Sequence, residues 1–122
     1  MHYASASGAI TSFMDRIFYS GGRFLKYKPG AAIASCRRGG ASATFDQLNK
    51  YFTISSMPIV SATYWNQIHG NTPEEALQDL EGLQNMRYIG YNMAWILKCL
   101  ELGKASGISP KQEERVRTNF IR

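Results

Sequence analysis

The chain is poor in the residues that usually announce chemistry. Its 122 residues include two cysteines and two histidines. Cys36 and Cys99 lie far apart with no metal-ligand spacing, and the histidines are equally scattered. No metal cluster is expected, and so few cysteines fit a reduced, cytoplasmic setting. The bland account of each cysteine is a small buried hydrophobe, and for Cys99 it is the expected one. No apolar run approaches the length needed to cross a membrane, so no membrane partner is expected. The opening residues, Met1-His2-Tyr3-Ala4-Ser5, lack the basic and apolar regions of a signal peptide. There is no Gly-x-Ser-x-Gly elbow, no Gly-x-x-x-x-Gly-Lys-[Ser/Thr] phosphate loop and no Gly-x-Gly-x-x-Gly fingerprint. Nucleophilic hydrolysis and the standard nucleotide loops therefore have no support.

Acidic residues are also scarce in the first part of the chain. Residues 1–50 hold seven basic side chains against two acidic ones, whereas residues 51–122 hold seven of each. The whole net charge of +5 sits in that first part. Such an excess attracts an anionic cofactor or substrate. A nucleic-acid surface would share the sign, but no nucleic-acid motif accompanies it, and none is expected as a partner. A plain solvated basic face is the bland alternative.

One stretch organises the rest. Ala31-Ala32-Ile33-Ala34-Ser35-Cys36 reads as a short buried strand over 31–36, bounded by Lys28-Pro29-Gly30. Arg37-Arg38-Gly39-Gly40 then turns into an amphipathic run with Phe45, Leu48 and Phe52 on one face. Strand, Gly-rich turn and helix in that order place the turn at the carboxyl end of a sheet, where ligands bind in α/β proteins. Glycine lets a backbone approach a ligand, and the following helix offers unpaired N–H groups.

Upstream, the small polar residues 2–8 read as a loop. Ile10, Phe13, Met14, Ile17 and Phe18 then mark one apolar helical face over 8–20, with Ser7 as N-cap and Gly21-Gly22 as its stop. That face is expected in the core. Downstream, Ile59 to Trp65 is β-branched and aromatic and predicts a second strand, with Asn66 to Asn71 as a loop. Thr72-Pro73-Glu74-Glu75 is a strong helix start, and the leucines and methionines from Leu77 to Leu100 extend one long helix over 72–102. Gly103 and Gly107 end it, and Ser109 to Glu114 opens a last short helix. Helices alternating with strands imply parallel pairing through right-handed crossovers. Two strands alone are too few for a stable sheet in water. Loops 2–8 and 35–42 each precede a helix, so both fall at one end of the sheet. That convergence suits a flat, polar, anionic ligand. His69 falls in a loop after a strand, where an exposed histidine without a role is the commoner case.

These residues carry a resemblance. His2-Tyr3-Ala4-Ser5-Ala6-Ser7-Gly8, followed by Phe13-Met14-Asp15-Arg16, resembles the flavin-ring loop and following helix of NADPH-dependent FMN reductase-like proteins, in the flavodoxin-like superfamily. Ser35-Cys36-Arg37-Arg38-Gly39-Gly40 resembles the family's next flavin loop. Asn49 to Phe52, Tyr64 to Asn66, Thr72 to Glu75, Asn92 to Trp95 and Thr118 to Arg122 look like the same branch. The resemblance implies a flavodoxin-like three-layer α/β/α fold with strand order 2-1-3-4-5. It implies FMN as cofactor, NADPH or NADH as co-substrate, a small-molecule electron acceptor such as a quinone, and a homo-oligomer, either a dimer or a tetramer. The flavin-binding residues it implies are His2, Tyr3, Ala4, Ser5, Ala6, Ser7, Ser35, Cys36, Arg37, Arg38, Gly39 and Gly40, with no catalytic acid or base among them.

The family's first strands and its Ser/Thr-rich phosphate loop have no counterpart in this sequence. Residues 1–122 are therefore expected to form the C-terminal part of such a domain, with two parallel strands and three main helices. So shortened, the chain is expected to self-associate and to hold FMN weakly or not at all. A non-catalytic, truncated paralogue is the alternative to an oxidoreductase.

Overall fold

The computed structural model describes residues 3–121. Four helices and two strands follow in the order α1 (Gly8–Leu25), β1 (Ala34–Cys36), α2 (Ala41–Ile54), β2 (Gln67–His69), α3 (Pro73–Ala76) and α4 (Leu80–Ala105). The strands are parallel, with Ala34 opposite Gln67, Ser35 opposite Ile68 and Cys36 opposite His69. One further parallel bridge joins Gly30 to Ile59. Successive side chains on a strand face opposite ways, and this separates the helical layers. Gln67 reaches Ser42 of α2, and Ala34 and Cys36 pack with Ala41 and Phe45 of α2. Ile68 lies instead against Gly82 of α4. So α2 covers one face and α4 the other.

Helix α1 lies beside α2. Phe18 packs on Tyr51 and Phe52, with ring centroids 5.4 and 6.1 Å apart, and the Tyr51 hydroxyl donates to Asp15. The expected burial of the α1 apolar face is not found. Phe13 is 57% exposed, Ile10 and Ile17 are more than a third exposed, and no residue of α1 is buried. The face is apolar, but no strand among the described residues covers it.

Helix α1 also runs through Gly21-Gly22 to Leu25 rather than stopping there. Glycine costs a helix interior only about 1 kcal/mol, so a glycine pair weakens a helix without ending it. The end comes where Tyr27 takes a positive φ and Lys28 N–H closes on Leu25 O.

The first strand is shorter than expected, 34–36 instead of 31–36. The second is displaced. It forms at 67–69, in the segment expected as a loop, and 59–65 contributes only the bridge at Ile59. Asn66 accounts for the shift. Its buried side chain accepts from Ala62 N–H and donates to Val60 O, closing the chain into a bulge. Tyr64 and Trp65 are thrown outward on that bulge, both more than half exposed.

The single helix expected over 72–102 is two helices. Thr72 caps α3 as expected, accepting from Glu75 N–H, but Asp79 starts α4 anew by accepting from Gly82 N–H. Past Ala105, Ile108 N–H bonds Gly103 O and Gly107 N–H bonds Lys104 O, with Gly107 at φ 77°. This is a Schellman closure, which needs a residue tolerant of positive φ. The short helix expected from Ser109 does not form. Residues 108–121 are exposed and irregular.

Candidate flavin site

Two loops flank β1 and α2. The first, 3–7, is fastened to α2. Gln47 Oε1 accepts from Ser5 Oγ at 2.8 Å and from Ala6 N–H at 3.0 Å. Ser7 caps α1, its Oγ accepting from Ile10 N–H at 3.4 Å and its carbonyl from Thr11 N–H at 3.1 Å. Tyr3 and Ala4 both take left-handed conformations, φ 47° and 55°. For non-glycine residues that is strained backbone, a state that clusters at functional sites.

The second loop leaves β1 at Cys36. Arg37, Arg38 and Gly39 are exposed and Gly40 is half-buried. Gly40 sits at φ 87° as the N-cap of α2, with no side chain closing that helix end. The first-turn amides of α2 are thus the kind of uncapped donors that bind anions. A Cβ added at Gly39 would meet nothing within 4 Å, so the surface of the turn is open.

Between the first loop with the start of α1 and the body of β1 and α2 lies a cavity of about 230 Å³, lined by Ala6, Ser7 and Ile10 on one side and Ile33, Ser35 and Thr44 on the other. Ligand sites usually run from about 300 Å³ upward. A larger hollow of about 1310 Å³ lies at the opposite ends of α1 and α2, between Arg16, Arg23, Lys26 and Ser56. It is an open groove beside the C-terminal segment, and its hydroxyl–carboxylate pair, Tyr51 with Asp15, is satisfied internally.

The structure brings Ala6, Ser7 and Ser35 around one cavity and sets Arg37, Arg38, Gly39 and Gly40 on the adjoining turn. Cys36 is placed differently from its neighbours. Its side chain is buried against Ala34 and Ala41, so only its backbone faces the turn. Tyr3 and Ala4 are fully on the surface, and Ala6 has its N–H committed to Gln47. His2 lies outside the described residues. Gln47 was not identifiable in advance. One glutamine on an amphipathic helix carries no mark that it will bridge to a loop 41 residues away.

With this geometry in view, the comparisons with known proteins are decisive at the family level. The model of the NADPH-dependent FMN reductase family matches residues 1–72, which contain both loops. The chain belongs to the NADPH-dependent FMN reductase family. Its two parallel strands between α2 and α4 form part of the flavodoxin-like α/β fold. Among curated proteins, an iron-sulfur flavoprotein of Methanocaldococcus jannaschii is 28% identical over 109 residues, covering 83% of this chain and 56% of the relative. The chain thus spans little more than half the length of that flavoprotein. No solved structure matches this reductase-family chain. No helix among the described residues is long and apolar enough to cross a membrane.

Proposed function

We propose that the chain carries the flavin-ring portion of an NAD(P)H oxidoreductase, with residues 1–122 forming the C-terminal part of its domain. The observation that supports this best is one cavity shared by Ala6 and Ser7 of the first loop and Ser35 at the head of the second. FMN, when bound, would supply the redox chemistry, taking a hydride from NADPH or NADH and passing electrons to an acceptor such as a quinone.

The chain's own residues bind and orient. The donor set fits a flavin: backbone amides, a serine hydroxyl at Ser35, an uncapped helix end behind Gly40 and an open glycine surface. His2, by its place in the sequence, belongs with the first loop. Arg37 and Arg38 are exposed at the turn and favour negative charge on the ring or on the phosphates of NADPH. The two loops offer no carboxylate, which suits hydride transfer.

An iron–sulfur cluster does not fit this stretch of chain. Such clusters take four ligands, mostly cysteine thiolates, and Cys36 is buried in the core while Cys99, contrary to the expected burial, is exposed on α4. No group of three potential metal ligands forms among the described residues.

The test is an FMN titration of the purified protein followed by anaerobic NADPH. Saturable binding and bleaching of the flavin absorbance are expected. A colourless protein that binds no FMN yet sediments as a dimer or tetramer would identify the truncated, non-catalytic paralogue instead.

A further inference from the structure

Strand β2 ends at His69, opposite Cys36, and Gly70 N–H donates to Cys36 O at 3.0 Å. His69 therefore stands at the same sheet edge as the Arg37–Gly40 turn, one strand across, about 4.8 Å in a sheet. Asp79 holds it there. One carboxylate oxygen accepts from His69 N–H at 2.7 Å and lies 3.5 Å from the ring Nδ1. The other accepts from Gly82 N–H at 2.9 Å at the start of α4. The two amide N–H groups, Gly82 first, hold the Asp79 carboxyl below its usual range, so it is an anion at neutral pH.

The His69 side chain is 41% exposed and open to a ligand. Three other elements contribute ionisable groups near this edge. Cys36 ends the paired strand with its thiol buried, and Arg37 and Arg38 follow on the turn. Glu75 of α3 is engaged with Asn71 N–H at 2.7 Å. With Nδ1 turned to Asp79, Nε2 is the nitrogen left for a substrate.

We propose that His69, positioned by Asp79, delivers the proton that accompanies reduction of a quinone acceptor. This rests on the flavin site proposed above. A quinone leaving as hydroquinone gains two electrons and two protons. Bound flavin, once reduced, would supply the electron pair and one proton as hydride, which would leave negative charge on the second quinone oxygen. The other proton passes from the His69 imidazolium to that oxygen, and the neutral imidazole regains a proton from water. The strand end beside the Arg37–Gly40 turn offers such an acid in His69.

The experiment compares two oxidants after anaerobic reduction, with protein in excess over FMN so that the flavin is bound even at micromolar affinity. A benzoquinone needs the proton; ferricyanide takes electrons singly and needs none. His69→Gln should slow the benzoquinone step about 100-fold, within the range for general acids, and leave the ferricyanide step and FMN affinity unchanged. Asp79→Asn should slow benzoquinone selectively and by less. Equal slowing of both oxidants, or an unchanged benzoquinone rate in H69Q with normal flavin reduction, overturns the assignment to His69 alone. Failure to bind FMN overturns the flavin site and this assignment together.

Discussion

Gly40 is the residue whose replacement separates backbone from ligand effects. Its φ of 87° suits glycine, and it begins α2. Gly40→Val should cost on the order of 1 kcal/mol or more in urea unfolding and weaken FMN binding as well. Gly39 is the control beside it. An added Cβ there meets nothing, so Gly39→Ala should leave the melting temperature unchanged while crowding a ring laid over the turn. Unchanged stability in G40V would show that the turn relaxes. Arg37 and Arg38 are exposed, and replacing both by alanine removes charge without opening a core. The double variant should melt like the wild type and bind NADPH more weakly, the difference shrinking at high salt. Parallel loss of stability would mark the arginines as structural. Gly40 was legible because only glycine serves an αL turn cheaply. The strain at Tyr3 and Ala4 was not, since nothing in those side chains marks a left-handed backbone.

Helix ends were read well where a side chain makes the cap and poorly where a tertiary contact decides. Ser7 and Thr72 were legible as caps because their hydroxyls act within three residues. The interruption at Asp79 was hidden inside an unbroken periodicity of leucines, since its carboxylate is shared between its own helix and a strand ten residues back. The displacement of β2 was hidden for a similar reason: Asn66 turns the chain through contacts with Val60 and Ala62 that propensity does not record. Asp79 also gives a pH prediction. Its carboxyl titrates lower in the folded protein than in the unfolded chain, so its contribution is complete above about pH 4. It disappears as pH falls through the folded value. Asp79→Ala should cost about 1–2 kcal/mol at neutral pH as a lost cap. It should also flatten the acid limb of stability against pH, as followed by circular dichroism. An acid limb identical to wild type would mean that other carboxylates govern it.

At the scale of the molecule, α1 and β1 share one unfinished side. Ile10, Phe13 and Ile17 are exposed along α1, and among the described residues β1 has a partner strand on one edge only. An apolar face beside unpaired backbone groups favours association. Sedimentation of the 13.7 kDa chain should therefore give a species heavier than a monomer, and Phe13→Lys should shift it toward the monomer. A compact wild-type monomer would contradict this. The attachment of loop 3–7 has a different consequence. Both halves of the candidate site ride on α2, the turn at its N-cap Gly40 and the loop on Gln47. Seven residues at 1.5 Å each set them about 10 Å apart along its axis. The helix is thus a ruler whose graduations are residues. One residue inserted between Ala41 and Gln47 would swing the glutamine about 100° around the helix, away from Ser5 and Ala6. Length variation is therefore forbidden in that short interval and tolerated in the exposed segment after Ala105, a contrast that insertion scanning would display directly.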